Sequence, residues 1–420
     1  MTHTANYLDY LNASPSPFHA AHEAGRQLAE AGFVEVDEKQ QWPSEPGSYF
    51  LIRSGALAAW IIPPKVSQTA GFAVFGSHTD SPCFKLKPTP DHLSPDGWGQ
   101  LAVEVYGGMI WNSWLDRELA LAGALYDRSG QAHLVRTGPL ARIPQLAIHL
   151  DRTVNEGLKL NPQQHLRPVW TVDQPTASIG ALLAEAAGLP EEEVASADVF
   201  LVPSQGAALF GDREQFVAAG RQDNLSSVFA GLTALKATAP NPEVIPVLVA
   251  FDHEEIGSAT RTGAAGPFLE DVLRRTAGAV GATGDQFWQL MARSSCISAD
   301  AGHSVHPNYA QLHDDDTRPL LGRGPLLKIN ANQRYASEGQ GISLWHRVCT
   351  AAGVESQDFV SNNAVPCGST IGPITATRLG LLTVDVGIPL LSMHSAREMS
   401  HVADEEALIQ VATAYLNGNR

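Results

Sequence analysis

The sequence predicts an α/β fold that is interrupted by an inserted β-rich domain. In residues 1–88 and 205–420, continuous apolar runs of strand length alternate with helix-like stretches. Between these two parts, residues 89–204 contain many short β-like runs separated by turn residues. In the α/β parts, polar residues suited to chemistry follow the apolar runs directly. Together these observations predict one α/β domain formed by both ends of the chain, with a second domain inserted into it.

The bulk composition indicates a large globular protein that has neither nucleic acid nor a membrane as its partner. The chain has 420 residues, of which 44% are hydrophobic, so two or more domains can each bury a core. Its formal net charge of −16 repels nucleic acid and anionic lipid surfaces. We see no secretory leader and no apolar stretch of about 18 residues, the length that a membrane helix needs.

The cysteine content favours a reducing compartment. The chain holds only four cysteines, which are Cys83, Cys296, Cys349 and Cys367. None of them forms a CxxC pair and they are far apart, so we expect neither a disulfide framework nor a zinc ribbon. Free thiols of this kind are typical of a cytoplasmic protein, and we expect that location.

The first α/β part is predicted to contain a helical region followed by three strands. The first 35 residues read as helix, and Pro17 suits a position near a helix start. Within Tyr49–Ile62, two β-like runs are separated by Ser54-Gly55. The run Gly71–Gly76 predicts a buried strand that ends just before His78.

The inserted segment is predicted to consist mainly of short strands. One helix-like stretch lies between Pro175 and Glu193, and the run ADVFLVPS that follows returns to strand character. The other β-like runs are LAVEVYGG, LALAGALYD, AHLVRTG and QLAIHL. Short runs with such frequent turns predict a β-rich domain.

The second α/β part alternates helices and strands again. The predicted strands are Val244–Phe251, Cys296–Ala299 and Leu381–Val386. The predicted helices are Asn224–Ala237, Glu270–Ala277, Asp285–Arg293, Ser343–Ala352 and Ala403–Leu416. No internal repeat or low-complexity tract is apparent in the sequence.

Potential metal ligands follow the apolar, strand-like runs of the α/β parts. They are His78, Glu254, Glu255, Asp300 and His394. In open α/β sheets, ligands bind beyond the carboxyl ends of the strands, so these side chains can converge. Asp223, at a predicted helix start, adds a carboxylate whose two oxygens can bridge two metals. The set suits a pair of divalent metals about 3.5–4 Å apart, a spacing typical of aminopeptidases.

Each of these residues has a simpler interpretation when it is considered alone. A histidine such as His78 is more often a core or surface residue, and paired glutamates are common on solvated helices. Asp223 suits a helix cap. Asp300, with His303 and His306 nearby, also suits a single-metal cluster or a surface patch. The combination is far less expected by chance, because every member follows a strand or begins a helix.

The adjacent glutamates suggest a hydrolytic mechanism. In two-metal hydrolases one carboxylate binds metal while another deprotonates a water whose pKa the metal lowers towards about 7. Glu254 and Glu255 can divide these two roles between them. Asp80, two residues after His78, is suited to orienting the ring of that histidine.

Nine segments of the sequence resemble one known family. In chain order they are GSHTDSPCFKLKP, VEVYGGMIWNSWLDREL, IPQLAIHLDR, RQDNLSS, DHEEIGS, DAGHSVHPNY, LLKINANQRYAS, CGSTIGPITATRLG and GIPLLSMHSAREM. The chain resembles the aspartyl aminopeptidases, which are tetrahedral, dodecameric metallopeptidases. The resemblance implies a metallopeptidase catalytic domain with a central mixed sheet flanked by helices, formed by residues 1–88 and 205–420. It implies that residues 89–204 form an inserted dimerisation domain.

The resemblance also implies the cofactor and its ligands. It indicates two divalent metal ions per subunit, zinc being expected, with manganese or cobalt as alternatives at one site. The implied ligands are His78 and Asp300 for one metal, Glu255 and His394 for the other, and Asp223 as the bridge.

Further roles follow from the resemblance residue by residue. Glu254 matches the general base, and Asp80 matches the residue that supports His78. Lys328 matches the position that faces an acidic substrate side chain, although alone it reads as a surface lysine. His149 matches a histidine that reaches a neighbouring subunit's active site, although alone it reads as a residue of the β domain. The implied reaction removes an N-terminal residue, preferably Asp or Glu, from peptides, and the implied assembly is a homododecamer built from dimers.

Three alternatives remain open from the sequence. One is a co-catalytic aminopeptidase of broad or neutral specificity, which kinetics on acidic and neutral substrates would distinguish. The second is a non-catalytic metal-binding assembly protein, which the presence of Glu254 and a full ligand set disfavours. The third is a Ser-His-Asp hydrolase, but no GxSxG motif occurs in the sequence.

Overall fold

The computed structural model describes residues 2–420 and has mixed α/β architecture. No helix within this range is long and apolar enough to cross a membrane. In chain order, its α-helices are α1 (Thr2–Ala13), α2 (Pro17–Glu30), α3 (Ile179–Ala186), α4 (Gln222–Ala237), α5 (Phe268–Ala279), α6 (Asp285–Ala292), α7 (Gly339–Ala352), α8 (Ile371–Leu379) and α9 (Val402–Leu416).

The strands form one large sheet, one antiparallel sheet and two small sheets. In chain order they are β1 (Val34–Glu35), β2 (Gly47–Arg53), β3 (Ala56–Ile62), β4 (Gly71–His78), β5 (Cys83–Leu93), β6 (Trp98–Tyr106), β7 (Glu118–Asp127), β8 (Ala132–Arg136), β9 (Ala141–Arg142), β10 (Val169–Val172), β11 (Val194–Pro203), β12 (Ala208–Phe210), β13 (Phe216–Ala219), β14 (Val244–Phe251), β15 (Ser295–Ala299), β16 (Gly302–His303), β17 (Leu326–Ile329), β18 (Gln357–Val360), β19 (Leu382–Gly387), β20 (Pro389–Leu390) and β21 (Glu398–His401).

The large sheet is mixed and has a parallel centre. Its strand order in the described chain is β1-β2-β3-β14-β4-β15-β19-β17-β18. The four central strands β14, β4, β15 and β19 run parallel to one another, whereas β3 and β17 run antiparallel to their inner neighbours. The carboxyl ends of the central strands therefore meet at one edge of the sheet, where ligands bind in folds of this kind.

Helices cover both faces of the large sheet. Residues of β4 alternate between two buried clusters. Ala73 and Phe75 belong to the cluster formed with α1, α2, α4, α7 and α9. Phe72 and Val74 belong to the cluster formed with α5, α6 and α8. This alternation follows from the two-residue period of a strand. Because both faces are buried, the central strands are largely apolar, and Val244–Phe251 is apolar throughout.

The second sheet lies within the segment between β4 and β12. Its strand order is β11-β5-β6-β10-β9-β7-β8, with an additional pairing of β11 and β7 that closes the sheet on itself. All its ladders are antiparallel. Its own apolar cluster includes Phe84, Trp114, Leu121 and Leu201. The sheet therefore has a separate, barrel-like core.

The predicted fold class is confirmed, since a mixed sheet flanked by helices carries a separate antiparallel β sheet. The division into residues 1–88 with 205–420 and residues 89–204, and the dimerisation role of the insertion, stay predictions. Strand β5, which begins at Cys83, already belongs to the second sheet.

Two local predictions differ from the structure. The helical N-terminal region is divided into α1 and α2, because Ser16 has extended backbone angles, caps α2 with its hydroxyl and is followed by Pro17. The strand predicted for QLAIHL, residues 145–150, is wrong, because this segment is irregular. Leu146 and Leu150 are 62% and 75% exposed there, so these apolar residues have no strand partner and no core among residues 2–420.

A buried carboxylate in β19 connects several elements beneath the sheet edge. Asp385 Oδ1 accepts hydrogen bonds from the hydroxyls of Ser298 (2.5 Å) and Thr370 (2.7 Å). Its Oδ2 accepts the N–H of Ala336 at 2.6 Å. Asp385 thereby joins β15, the loop before α8 and the loop before α7.

Replacing Asp385 with Ala is expected to destabilise the fold by about 3 kcal/mol or more, because each buried donor left without an acceptor costs roughly 1–3 kcal/mol. The measurement is the urea midpoint of the metal-free protein at fixed protein concentration. Thr383→Val in the same strand is the matched control, since its buried hydroxyl donates only to the carbonyl of Leu381. Equal shifts for the two variants would contradict the assigned role of Asp385.

Candidate metal centre

The carboxyl edge of the parallel strands collects most of the residues singled out in the sequence. His78 ends β4, and Glu254 and Glu255 lie in the short 3-10 turn that follows β14. Asp300 directly follows β15, and Asp223 lies in the first turn of α4. These elements converge because β4 lies between β14 and β15 in the sheet. His394 joins them from the loop between β20 and β21.

The collected side chains form overlapping groups that can each hold a cation. In three sets the potential ligand atoms all lie within 4.8 Å of one another. The sets are His78 with Asp223 and Asp300, Asp223 with Glu255 and His394, and His78 with Glu254 and Glu255.

Asp223 is shared by two of these groups through different oxygens. Its Oδ1 lies 3.4 Å from His78 Nε2, and its Oδ2 lies 3.1 Å from His394 Nε2. Asp300 Oδ1 is 3.8 Å from His78 Nε2 on one side, and Glu255 Oε1 is 3.5 Å from His394 Nε2 on the other. The two oxygens of Asp223 thus face two different groups of potential ligands.

The carboxylates of the cluster raise the pKa of both histidines. Burial alone would lower the pKa of His78, but the carboxylates of Asp223 and Asp300 outweigh burial and raise that pKa well above its usual range. In the same way, Asp223 and Glu255 overcome burial and raise the pKa of His394 to about 10. The field around both imidazoles is therefore strongly negative, as a cation site requires.

The glutamates experience the opposite effect. Burial raises the pKa of Glu254 to about 8, with His78 opposing the shift and the carboxylate of Asp300 adding to it. Burial likewise raises the pKa of Glu255 well above its usual range. Like charges and little water make the ionised carboxylates unfavourable here, and divalent cations would relieve that repulsion.

The donor set fits divalent metal. Asp223 Oδ1 and Glu255 Oε1 are buried, and neither has a hydrogen-bond partner among residues 2–420. A buried acceptor without a partner is costly in a native protein unless something else satisfies it. Imidazole nitrogens and carboxylate oxygens are the ligands that zinc uses in catalytic sites. The residues present therefore fit the metals that the sequence led us to expect.

The ring of each histidine is oriented by a contact to its other nitrogen. His78 Nδ1 lies 3.0 Å from the backbone carbonyl of Asp80 and 3.4 Å from its carboxylate. His394 Nδ1 lies 3.0 Å from the carbonyl of Gly108, at the end of the antiparallel sheet. These contacts direct both Nε2 atoms towards Asp223, the arrangement in which histidine binds metal.

Asp80 also supports the turn that carries the two glutamates. Its Oδ1 accepts the N–H of Glu254 at 3.0 Å, and its Oδ2 accepts the N–H of Glu255 at 3.1 Å. The hydroxyl of Tyr106, from β6, donates to the same Oδ2 at 2.8 Å. One buried carboxylate therefore connects His78, both glutamates and the second sheet.

Two residues at this edge were missed by the sequence reasoning. Tyr106 lies in the segment VEVYGG, and its only signal is its position before a glycine pair. Glu398 lies four residues after His394 and is only 2% exposed. Its signal is an acidic residue close to a candidate ligand. Gly107 lies in the same region. Its φ of +73° suits glycine, and a Cβ added at this position would lie only 3.1 Å from Glu255 Cβ.

A cavity of about 490 Å³ opens beside the cluster. Its lining includes Asp223, Glu254, Glu255, Asp300, Lys328 and His394. A neighbouring cavity of about 330 Å³ shares His303, Tyr335 and Gly368 with it. The candidate ligands therefore face a space large enough for a peptide terminus.

Lys328 lies in the wall of this cavity and is 2% exposed. Its Nζ donates to the carbonyl of Ala301 at 2.7 Å and lies 3.8 Å from Asp300 Oδ1. Lys328 is therefore not a surface lysine, which is what the residue alone suggested in the sequence. His149, by contrast, is exposed in the irregular segment of the insertion and does not line the cavity of its own chain.

Comparison with known proteins agrees with this geometry. A family model described as aminopeptidase I zinc metalloprotease (M18) matches residues 10–416. A probable M18 family aminopeptidase 2 of Streptomyces coelicolor is 45% identical over 421 residues, covering 99% of this chain and 97% of that protein. A protein of the same description from Streptomyces avermitilis is 46% identical over 423 residues, covering 99% and 98%.

Solved structures share the fold. A chain in the cryo-EM structure of the Ape4 and Nbr1 complex has a TM-score of 0.94 and 35% identity, with 99% of this chain and 85% of that chain covered. The S. cerevesiae mApe1 dodecamer gives a TM-score of 0.87 and 27% identity, with 99% and 96% covered. The family match spans almost the whole chain and these relatives agree with it. The protein therefore belongs to the M18 family of zinc metalloproteases and is an aminopeptidase.

Proposed function

We propose that this aminopeptidase uses two metal ions to remove an acidic N-terminal residue from peptides. The observation that carries the proposal is the position of Asp223, whose two oxygens face two different histidines at 3.4 and 3.1 Å. A carboxylate placed in this way would be shared by a metal pair, and aminopeptidases use metal pairs of this kind.

The ligands are assigned from the two groups that share Asp223. We assign His78 and Asp300 to one metal and Glu255 and His394 to the other, with Asp223 between them. When bound, the two divalent ions would lower the pKa of a water molecule and polarise the scissile carbonyl. Zinc is the expected ion at both positions, and manganese or cobalt is the alternative at one of them.

Glu254 is the proposed general base. Its carboxyl lines the cavity beside Asp223 and Asp300, and the hydrogen bond from its N–H to Asp80 Oδ1 fixes its backbone. In this role Glu254 accepts a proton from the attacking water and later delivers it to the leaving nitrogen of the peptide. Its buried environment supports the second step, because burial favours a carboxyl that can hold a proton.

Lys328 is the proposed source of the acidic preference. The ammonium group is buried in the cavity wall. Of its three N–H donors, one is used by the backbone carbonyl of Ala301. A substrate carboxylate would pair with it, whereas a neutral side chain would leave a buried charge without that partner. Broad or neutral specificity stays the alternative, because the lining of the adjoining cavity includes the apolar side chains of Phe359 and Val365.

We also propose a homododecamer built from dimers in the cytoplasm. One similar structure is described as a dodecamer. Leu146, Ile148 and Leu150 are exposed beside His149, and apolar residues exposed together are typical of an interface. In such an assembly His149 would reach a neighbouring subunit's active site. The four cysteines are unpaired in the described chain, which agrees with a reducing compartment.

Replacing Glu254 with Gln is expected to lower kcat by about 10²–10⁴-fold, the usual contribution of a general base. Metal content, measured by elemental analysis, should stay at the wild-type level, because Glu254 is not assigned as a ligand. Glu255→Gln is the contrasting variant and should lose metal as well as activity. A Glu254→Gln enzyme with wild-type turnover would end the assignment of the base.

Replacing Lys328 with Met should remove the preference for acidic substrates. We expect kcat/KM on an Asp anilide to fall by roughly 10–100-fold, since a hydrogen bond to a charged group contributes about 1.5–3 kcal/mol, with a smaller change on a Leu anilide. Lys236→Met is the matched control, because this partly buried lysine bonds Gln27 away from the cavity. A wild-type enzyme that prefers Leu would show that the neutral-specificity alternative is correct.

Removal of metal is expected to abolish peptidase activity, and zinc alone should restore it. Titration of the chelated protein should show about two ions per subunit, the number that two-metal sites require. Asp223→Ala should weaken binding of both ions, because its carboxylate is shared. Retention of both ions at wild-type affinity by this variant would contradict the bridging role.

A further inference from the structure

We propose that Glu398 is a positioning residue that holds the bridging aspartate and one metal-ligand histidine at their backbones. Glu398 Oε2 accepts the N–H of Asp223 at 3.1 Å. Its other oxygen, Oε1, accepts the N–H of His394 at 2.8 Å. One carboxylate therefore joins two proposed ligands that are 171 residues apart in the chain. This inference rests on the proposed two-metal site.

The surroundings of Glu398 make it a rigid support. The residue begins β21, where it pairs with Ala219 of β13, four residues before Asp223. Its carbonyl accepts a hydrogen bond from the side chain of Gln222 at 2.9 Å. The side chain is 2% exposed, so water cannot replace the two backbone donors. A carboxyl group this deeply buried is tolerated because hydrogen bonds satisfy both of its oxygens.

The backbone of His394 needs such support. Its φ of +65° lies in the left-handed region, which residues other than glycine adopt only when the surrounding structure holds them there. The hydrogen bond from its N–H to Glu398 acts on this residue directly. The Gly108 carbonyl and the N–H of Ile110, which donates to the His394 carbonyl at 3.0 Å, hold the other side of the same residue.

Asp80 and Glu398 divide the support of the metal centre between them. Asp80 accepts the backbone N–H groups of Glu254 and Glu255 and contacts His78. Glu398 accepts those of Asp223 and His394. Neither carboxylate belongs to the groups that could hold a metal ion. Because Glu398 acts on two of the three members of the group formed by Asp223, Glu255 and His394, its loss should weaken that metal position more than the one at His78.

The test compares zinc binding by wild type, Glu398→Gln and a matched control, Glu405→Gln. Glu405 is also buried, at 3% exposure, but its carboxylate oxygens have no hydrogen-bond partner among residues 2–420. The chelated full-length proteins are titrated with zinc against a chromophoric chelator, and their folding is verified by circular dichroism. The peptidase kcat is then measured at low and at saturating zinc.

In Glu398→Gln, we expect one zinc ion per subunit to bind about 10–100-fold more weakly, the usual effect of losing a group that orients a ligand. The other ion should be affected less, and saturating zinc should restore most of the activity. Glu405→Gln should bind both ions as wild type does. Glu398→Asp, which keeps the charge but is one methylene shorter, should bind with intermediate affinity and decides the question if Glu398→Gln does not fold.

Wild-type affinities in the Glu398 variants would overturn the inference, as would equal weakening of both ions or the same loss in Glu405→Gln. These outcomes leave the proposed function intact, since the wild-type protein would still bind two ions. A wild-type protein that binds no zinc pair would instead overturn the two-metal proposal itself.

Discussion

The structure depends on the burial of several like charges at one edge of a parallel sheet. Asp80, Asp223, Asp300 and Glu398 are each less than 10% exposed, and Glu255 crowds the same edge. Carboxylates in so small a space repel one another and lose hydration, so the arrangement is unfavourable unless hydrogen bonds and cations offset both effects. The large sheet provides the rigidity, because β14, β4 and β15 are buried on both faces and cannot spread the charges apart.

Sequence patterns predicted the part of the site that strands carry. The runs before His78, Glu254 and Asp300 are short and largely apolar, so both the strand and the polar residue near its end could be identified. The contacts of Tyr106 and Glu398 could not be predicted in this way. Tyr106 is 26 residues from Asp80, Glu398 is 175 residues from Asp223, and both donors to Glu398 are backbone N–H groups. Every residue except proline has a backbone N–H, so the sequence does not indicate which of these groups donates to a side chain. The irregular segment at residues 145–150 was mistaken for a strand for a related reason, since its alternating apolar residues have no partner within one chain.

The antiparallel sheet takes part in the site as well. The segment that leaves β6 contributes Tyr106 to Asp80, the carbonyl of Gly108 to His394 and the N–H of Ile110 to the same histidine. Through Asp80 and His394, these three contacts reach both of the proposed metal-binding groups from outside the large sheet. A change in how the antiparallel sheet packs would therefore alter both groups together. If the inserted segment also forms the dimer contact that we propose, Tyr106, Gly108 and Ile110 connect that segment to the proposed metal site.

The proposed ligands and their supports thus form two levels with different physical requirements. The ligands must present unsatisfied oxygens and imidazole nitrogens towards a cation, and Asp223 Oδ1 and Glu255 Oε1 do so. The supports must be fully satisfied, and Asp80 and Glu398 use both of their oxygens on donors that belong to the ligands or their neighbours. An unsatisfied support would itself attract a cation or a proton and compete with the site. Complete hydrogen bonding of the outer carboxylates is therefore what allows the inner ones to remain free for metal.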